Sequence, residues 1–201
     1  MGVSSVPAPT GVGRVLVIGL DGATFTMLDQ WMSRGLMPNL QQLVGRGARA
    51  VMKSVMPPVT APAWASFSTG AGPGYHGVLD FWKQVPGEFR RRLVTAEDLR
   101  VPPLWRTLTD AGLKVGLVNV PVSYPPSPDL SFAISEWLVP SGAPRFTQPP
   151  GLFDELRPTL GDYVMEPPGL YSEELTAVAQ FIEEIKHLTL QQTRYTTHLM
   201  K

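Results

Sequence analysis

The 201-residue chain contains no cysteine, which excludes a disulfide framework, thiol catalysis and thiolate metal ligands, and leaves oxygen and imidazole as donors. No long apolar run is present. The longest, Val15 to Leu20, is far below the roughly 20 residues of a membrane-spanning helix. The N-terminus, Met1 to Gly13, is small and polar and lacks a basic stretch followed by an apolar one, so the expected address is cytoplasmic. Neither charge is in excess: 17 Lys and Arg face 17 Asp and Glu, and composition implies no nucleic-acid-binding surface. No P-loop or G-x-G-x-x-G occurs, because Gly13, Gly19 and Gly22 have the wrong spacing.

What remains is the composition of a compact globular chain, 43% apolar and 9% aromatic, long enough to bury a core. Glycine and proline are the one excess, 19 and 21 residues, and 11 of the prolines lie between Pro121 and Pro168. That stretch is expected to be irregular, a string of turns and extended pieces with few long helices.

Hydrophobic periodicity supplies the rest of the outline. Val15 to Leu20, bounded by Gly13 and by Asp21-Gly22, predicts a central parallel strand buried on both faces. Phe25 to Arg34 has helical spacing and a stop at Gly35, and a second helix opens at Pro38 and ends at Gly45 or Gly47. Ala48 to Val55 predicts a strand, Pro62 to Ser68 a helix before Gly70, Pro103 to Ala111 a helix closed by Gly112, and Lys114 to Val120 a strand ended by Pro121. Ser172 is a favourable N-cap, followed by an apolar stripe from Leu175 to Leu188. The alternation predicts an α/β fold with a mostly parallel central sheet and helices on both faces, whose ligands sit at the carboxyl ends of the strands.

Two residues stand where such a fold does chemistry. Asp21 follows the predicted strand, and its carboxylate is placed to meet a hard cation or a phosphate; its structural alternative is a helix N-cap. Thr60 sits in Pro57-Pro58-Val59-Thr60-Ala61-Pro62, a proline-stiffened loop ahead of a helix. Its hydroxyl needs an activating base or a metal ion to act as a nucleophile, and its structural alternative is again an N-cap. Of the three histidines, His76 is read as a bridge between backbone groups. His187 and His198 are about 16 Å apart along one helix and cannot share an ion. The Arg90-Arg91-Arg92 triplet reads as a solvated edge.

Taken in order, Leu20-Asp21-Gly22, Met37-Pro38-Asn39-Leu40, Thr60-Ala61-Pro62-Ala63-Trp64, Thr69-Gly70, Pro73-Gly74, His76-Gly77, Asn119-Val120-Pro121 and Tyr124-Pro125-Pro126 resemble the alkaline phosphatase superfamily, in its type I phosphodiesterase and nucleotide pyrophosphatase branch. The resemblance implies a metal-dependent phosphoric ester hydrolase with two divalent ions, usually zinc, acting on a small-molecule phosphate ester or diester. Asp21 then matches a metal-binding aspartate, and Thr60 the nucleophile, itself a metal ligand. Ala63 and Trp64 stand where nucleotide pyrophosphatases carry Asn and His, so nucleotide specificity is not implied. The family's later aspartate and histidine motifs have no match after Lys114. Residues 1–13 are therefore expected to be a flexible N-terminus, 14–201 the N-terminal part of one alkaline-phosphatase-like domain with an irregular segment at 121–168, and the isolated chain inactive. Two other readings compete. Asp21-Gly22-Ala23-Thr24 is similar to the loop of haloacid-dehalogenase-like phosphatases, although Gly19 occupies the position of their nucleophilic aspartate. The chain is otherwise a non-catalytic domain that binds a partner.

Overall fold

A computed structural model describes residues 13–136, 139, 146–165 and 175–201. Residues 1–12 of the expected flexible N-terminus at 1–13 lie outside the described residues, as do the Ser172 cap and part of the proline-rich segment. The chain divides into two units, Met1–Ser54 and Val55–Lys201.

The first unit has two helices among its described residues. Helix α1 (Phe25–Ser33) ends in Arg34 and Gly35, and Gly35 takes a left-handed φ of 69°. The Gly35 N–H bonds the Met32 carbonyl and the Leu36 N–H bonds the Trp31 carbonyl, the paired reach-back bonds that satisfy orphaned carbonyls at a helix end. Helix α2 (Pro38–Arg46) opens on proline, as expected. Arg49 lies over the Phe25 ring at 3.8 Å and grips Asp29 with two 2.8 Å hydrogen bonds.

Two expectations fail in this unit. Val15 to Leu20 and Ala48 to Val55 carry no strand, and Val17 and Val51 are 61% and 86% exposed. A β-branched run favours extended backbone, but a strand exists only when a partner completes its ladder. Among the described residues no strand pairs with either run.

The second unit holds the sheets. Helix α3 (Thr60–Thr69) and the short α4 (Pro73–His76) precede an antiparallel hairpin of β1 (Trp82–Gln84) and β2 (Arg91–Leu93). A 3₁₀ turn at Ala96–Asp98 leads to α5 (Leu104–Asp110), β3 (Gly116–Val120), β4 (Phe132–Ser135), β5 (Thr147–Gln148), α6 (Leu152–Leu160) and α7 (Leu175–Leu199). Strand β3 pairs parallel with β4, which pairs antiparallel with β5. Helices cover both faces of this sheet. Ile134 packs with Leu152 and Leu156 of α6 and Tyr195 of α7, whereas Ala133 packs with Trp105 of α5. The mixed α/β class expected from the alternating pattern is therefore observed. No helix among the described residues is long and apolar enough to cross a membrane.

Strand β3 contains a bulge. Val118 pairs with Ile134, but the next paired residue, Ser135, faces Val120, leaving Asn119 as the extra residue at φ 55°. The bulge changes which side the chain presents: Val118 belongs to the α6/α7 side and Val120 to the α5 side.

Candidate active site

Thr60 stands at a junction built by its neighbours. Val59 is extended (φ −114°, ψ 148°) and occupies the cap position, its N–H bonding the Pro57 carbonyl at 3.0 Å. Thr60 is thus the first helical residue, so the N-cap alternative does not hold. Pro62 falls in the first turn, where a missing N–H is harmless because those donors have no intrahelical partner. The hydroxyl-bearing residue is half-buried, while Ala61 and Ala65 are fully buried against Val78, Val94 and Val122. The small Ala61/Ala65 stripe lets the chain approach closely and sets how far the start of α3 stands from its neighbours.

Beside that stripe lie Pro62 and Ser66, four residues apart on the same helix face, which offer a backbone group and a hydroxyl. His76, fully buried, places Nε2 2.8 Å from Ser66 Oγ and also bonds the Pro62 backbone, while its Nδ1 accepts the Val78 N–H at 3.1 Å. Since Nδ1 is an acceptor, the ring proton sits on Nε2. The Ser66–His76 pair therefore cannot serve as a nucleophile with its base: the nitrogen facing the serine has no lone pair to take a proton. Burial pushes the His76 pKa below its ordinary value, against the opposing effect of the Pro62 bond. The expected role of His76 as a bridge is what the structure shows.

Asp21 lies in the other unit, in the turn that precedes α1, and is exposed. The cap position of α1 belongs to Thr24, three residues later, so Asp21 is not an N-cap. Asp21 and Thr60 each sit at the mouth of a helix, and each is described within its own unit.

Three polar clusters around α3 and the sheet escaped the sequence reading. Asp98, buried, accepts two 2.7 Å bonds from Arg92, one of 2.8 Å from Lys83 and one of 3.0 Å from the Thr95 N–H. Burial alone would raise the Asp98 pKa; the Arg92, Lys83 and Thr95 bonds outweigh it and hold the carboxyl well below the usual carboxylate range. Arg90, Arg91 and Arg92 are exposed, as expected of a solvated edge, and Arg92 is in addition pinned by Asp98. Thr95-x-x-Asp98 is a capping box, and that spacing was visible in the sequence. At the carboxyl end of β3, Val122 adopts φ 61°, unusual for a β-branched residue, and its N–H donates to the buried Glu136 carboxylate at 3.0 Å. Val122 itself packs in the cluster with Ala61 and Ala65. Finally, the Tyr163 hydroxyl donates to Asn119 Oδ1 at 2.7 Å, and burial pushes that phenol's pKa up.

The type I phosphodiesterase / nucleotide pyrophosphatase family model matches residues 15–197. The chain belongs to this family. Among solved structures it is similar to phosphonoacetate hydrolase from Sinorhizobium meliloti 1021 in complex with phosphonoacetate, at 27% identity and TM-score 0.49, over 57% of this chain and 29% of that one. The same hydrolase with phosphonoformate gives 29% identity and TM-score 0.46, over 52% and 27%. The match thus spans less than a third of that hydrolase's length. Among curated proteins none matches the chain.

For a phosphodiesterase-family chain, the metal question turns on donors. Asp21 and Thr60 are hard oxygen donors, right in kind for a divalent ion. They are too few: no group of three His, Cys, Asp or Glu among the described residues could hold an ion. His76 is committed to Ser66 and two backbone groups, and His187 and His198 stand three turns apart on the continuous helix α7.

Proposed function

We propose that this chain supplies the nucleophile-bearing part of a phosphoric ester hydrolase, with Thr60 as nucleophile and with Thr60 and Asp21 each as an oxygen ligand of divalent ions whose remaining donors come from elsewhere. The observation that carries the reading is the placement of Thr60, the first residue of a helix clamped by a buried cluster, within a family match that runs almost the length of the chain. In this reading 14–201 is one part of a larger alkaline-phosphatase-like domain.

The Thr60 hydroxyl attacks phosphorus in line with the departing alkoxide, so the P–O bond to the leaving group breaks as the bond to Oγ1 forms. The leaving oxygen takes a proton, and water then hydrolyses the phosphothreonine to regenerate the hydroxyl. The N-terminal end of α3, which begins at Thr60 and carries the positive end of the helix dipole, favours the negative charge of the phosphoryl oxygens. Two divalent ions, zinc in the expected case, would contribute Lewis acidity and lower the pKa of the attacking hydroxyl. With two donors among the described residues, the 201-residue chain alone is expected to be inactive.

The test is hydrolysis of chromogenic phosphate monoesters and diesters by the full-length protein with added divalent ions. Thr60→Ala should lower kcat/KM by at least about a thousandfold, and Asp21→Asn by a comparable factor through lost ion affinity. Unchanged rates in both variants would overturn the assignment. Activity of the 201-residue chain by itself would show that its own donors suffice.

A further inference from the structure

We propose that His76 is a positioning residue for the nucleophile: acting through Ser66 and Pro62, it sets the rotation of α3 about its axis and thereby the direction of the Thr60 hydroxyl. The inference rests on the reading of Thr60 as nucleophile and adds to it a residue that touches neither substrate nor ion.

The geometry argues it in three steps. The apolar grip on α3 is made through alanines, Ala61 and Ala65, whose single methyl groups offer little to stop the helix rolling. The polar grip lies about 100° around the helix, on Pro62 and Ser66, and is directional because hydrogen bonds weaken steeply with angle. His76 is itself immobilised. Its Nδ1 takes the Val78 N–H, its own carbonyl takes the Arg100 N–H at 3.0 Å, and the following residue, Gly77, lies at φ 83° under the Arg100 side chain, where a Cβ would crowd Arg100 Cδ at 3.0 Å. Both ring nitrogens are therefore used, one to receive the frame and one to hold the helix. Thr60 lies on the same two-turn segment as Pro62 and Ser66, so a small roll there displaces its hydroxyl.

Two imidazole nitrogens with separate jobs can be separated by substitution. Asn at 76 offers an acceptor where Nδ1 stood but does not reach Ser66; Gln offers a donor where Nε2 stood. In the full-length enzyme, His76→Asn and Ser66→Ala should each lower kcat about tenfold with KM within twofold, because a misplaced nucleophile costs rate more than binding. His76→Gln should recover most of the loss, and the His76→Asn/Ser66→Ala double variant should be no slower than His76→Asn alone. Independently of turnover, ¹⁵N NMR of the full-length protein should show His76 as the Nε2–H tautomer, and Ser66→Ala should shift the Thr60 amide signal. An Nδ1–H tautomer, an unmoved Thr60 amide, or additive losses in the double variant would overturn the proposal. If Thr60→Ala instead retained full activity, the nucleophile assignment would fail, while the NMR arm would still decide whether His76 orients α3.

Discussion

Val15–Leu20 and Gly116–Val120 are nearly interchangeable as text, both short, β-branched and closed by a turn signal, yet they meet different fates. Gly116–Val120 becomes β3, in parallel register with Phe132–Ser135 and covered by α5 on one side and α6 and α7 on the other. Val15–Leu20 carries no ladder, and Ile18 is 70% exposed. The difference is not in the runs themselves but in what lies beside them. Close fit adds to it: Phe132 covers its partner Gly116 so tightly that an added Cβ would overlap the ring. A hydrophobic run sets a preference for extended backbone, whereas pairing and burial, which supply most of the free energy, depend on other segments.

The sharpest way to break the comparison is to make one substitution in both places. Ile134→Ala removes a side chain with no exposed surface from the contact with Leu152, Leu156 and Tyr195, and should cost about 3 kcal/mol in denaturant unfolding. Ile18→Ala should change stability by no more than about 0.5 kcal/mol, as expected for an exposed site. Equal losses would show that Val15–Leu20 is covered in solution.

Carboxylates repeat the contrast with a smaller effect. Asp98 and Asp29 each hold an arginine with two hydrogen bonds, but Asp98 is 6% exposed and has Lys83 and the Thr95 N–H as well. Asp98→Asn should cost roughly 2 kcal/mol, the range for hydrogen bonds to a charged group, and should loosen the turn that follows β2. Asp29→Asn, in a pair open to solvent on both sides, should leave the unfolding midpoint almost unmoved. Comparable shifts in the two variants would mean that burial does not set the worth of these pairs.

Legibility followed the same division between local and distant causes. The ends of α1, α2 and α3 could be read because they are local events: Gly35, Pro38 and Gly70 act on backbone within a turn of themselves. Thr60 could be placed at a helix mouth from the prolines around it. The bulge at Asn119 and the left-handed Val122 could not, since no local signal forces a β-branched residue to φ 61°; the Glu136 carboxylate, fourteen residues on, accounts for it. Strand β4 is four residues long and exists through its neighbours. The Asp98 cluster lies between these cases: its capping box was in plain sight, but the convergence of Lys83 and Arg92 required the β1–β2 register, in which those two residues are paired.

The smallest effect separates His76 and Asp98, two of the buried ionisable groups of the second unit, by pH. His76 is neutral in the fold and its pKa is lowered, first by burial, so the unfolded chain binds more protons than the native one as pH falls below about 6.5. Its contribution is therefore complete above that value and declines as pH drops toward the depressed native pKa, then levels off. Asp98 behaves in the same sense at lower pH. Its stabilisation is present above the ordinary carboxylate value of about 4 and is lost as pH falls toward its lowered native pKa. Urea midpoints measured from pH 8 to pH 3 should show a shallow decline beginning near pH 6.5 that disappears in His76→Asn, which cannot take up the proton. A decline of equal slope in His76→Asn would assign the mildly acidic loss to other groups. It would also remove the pH signature expected of a buried imidazole whose two nitrogens are both committed.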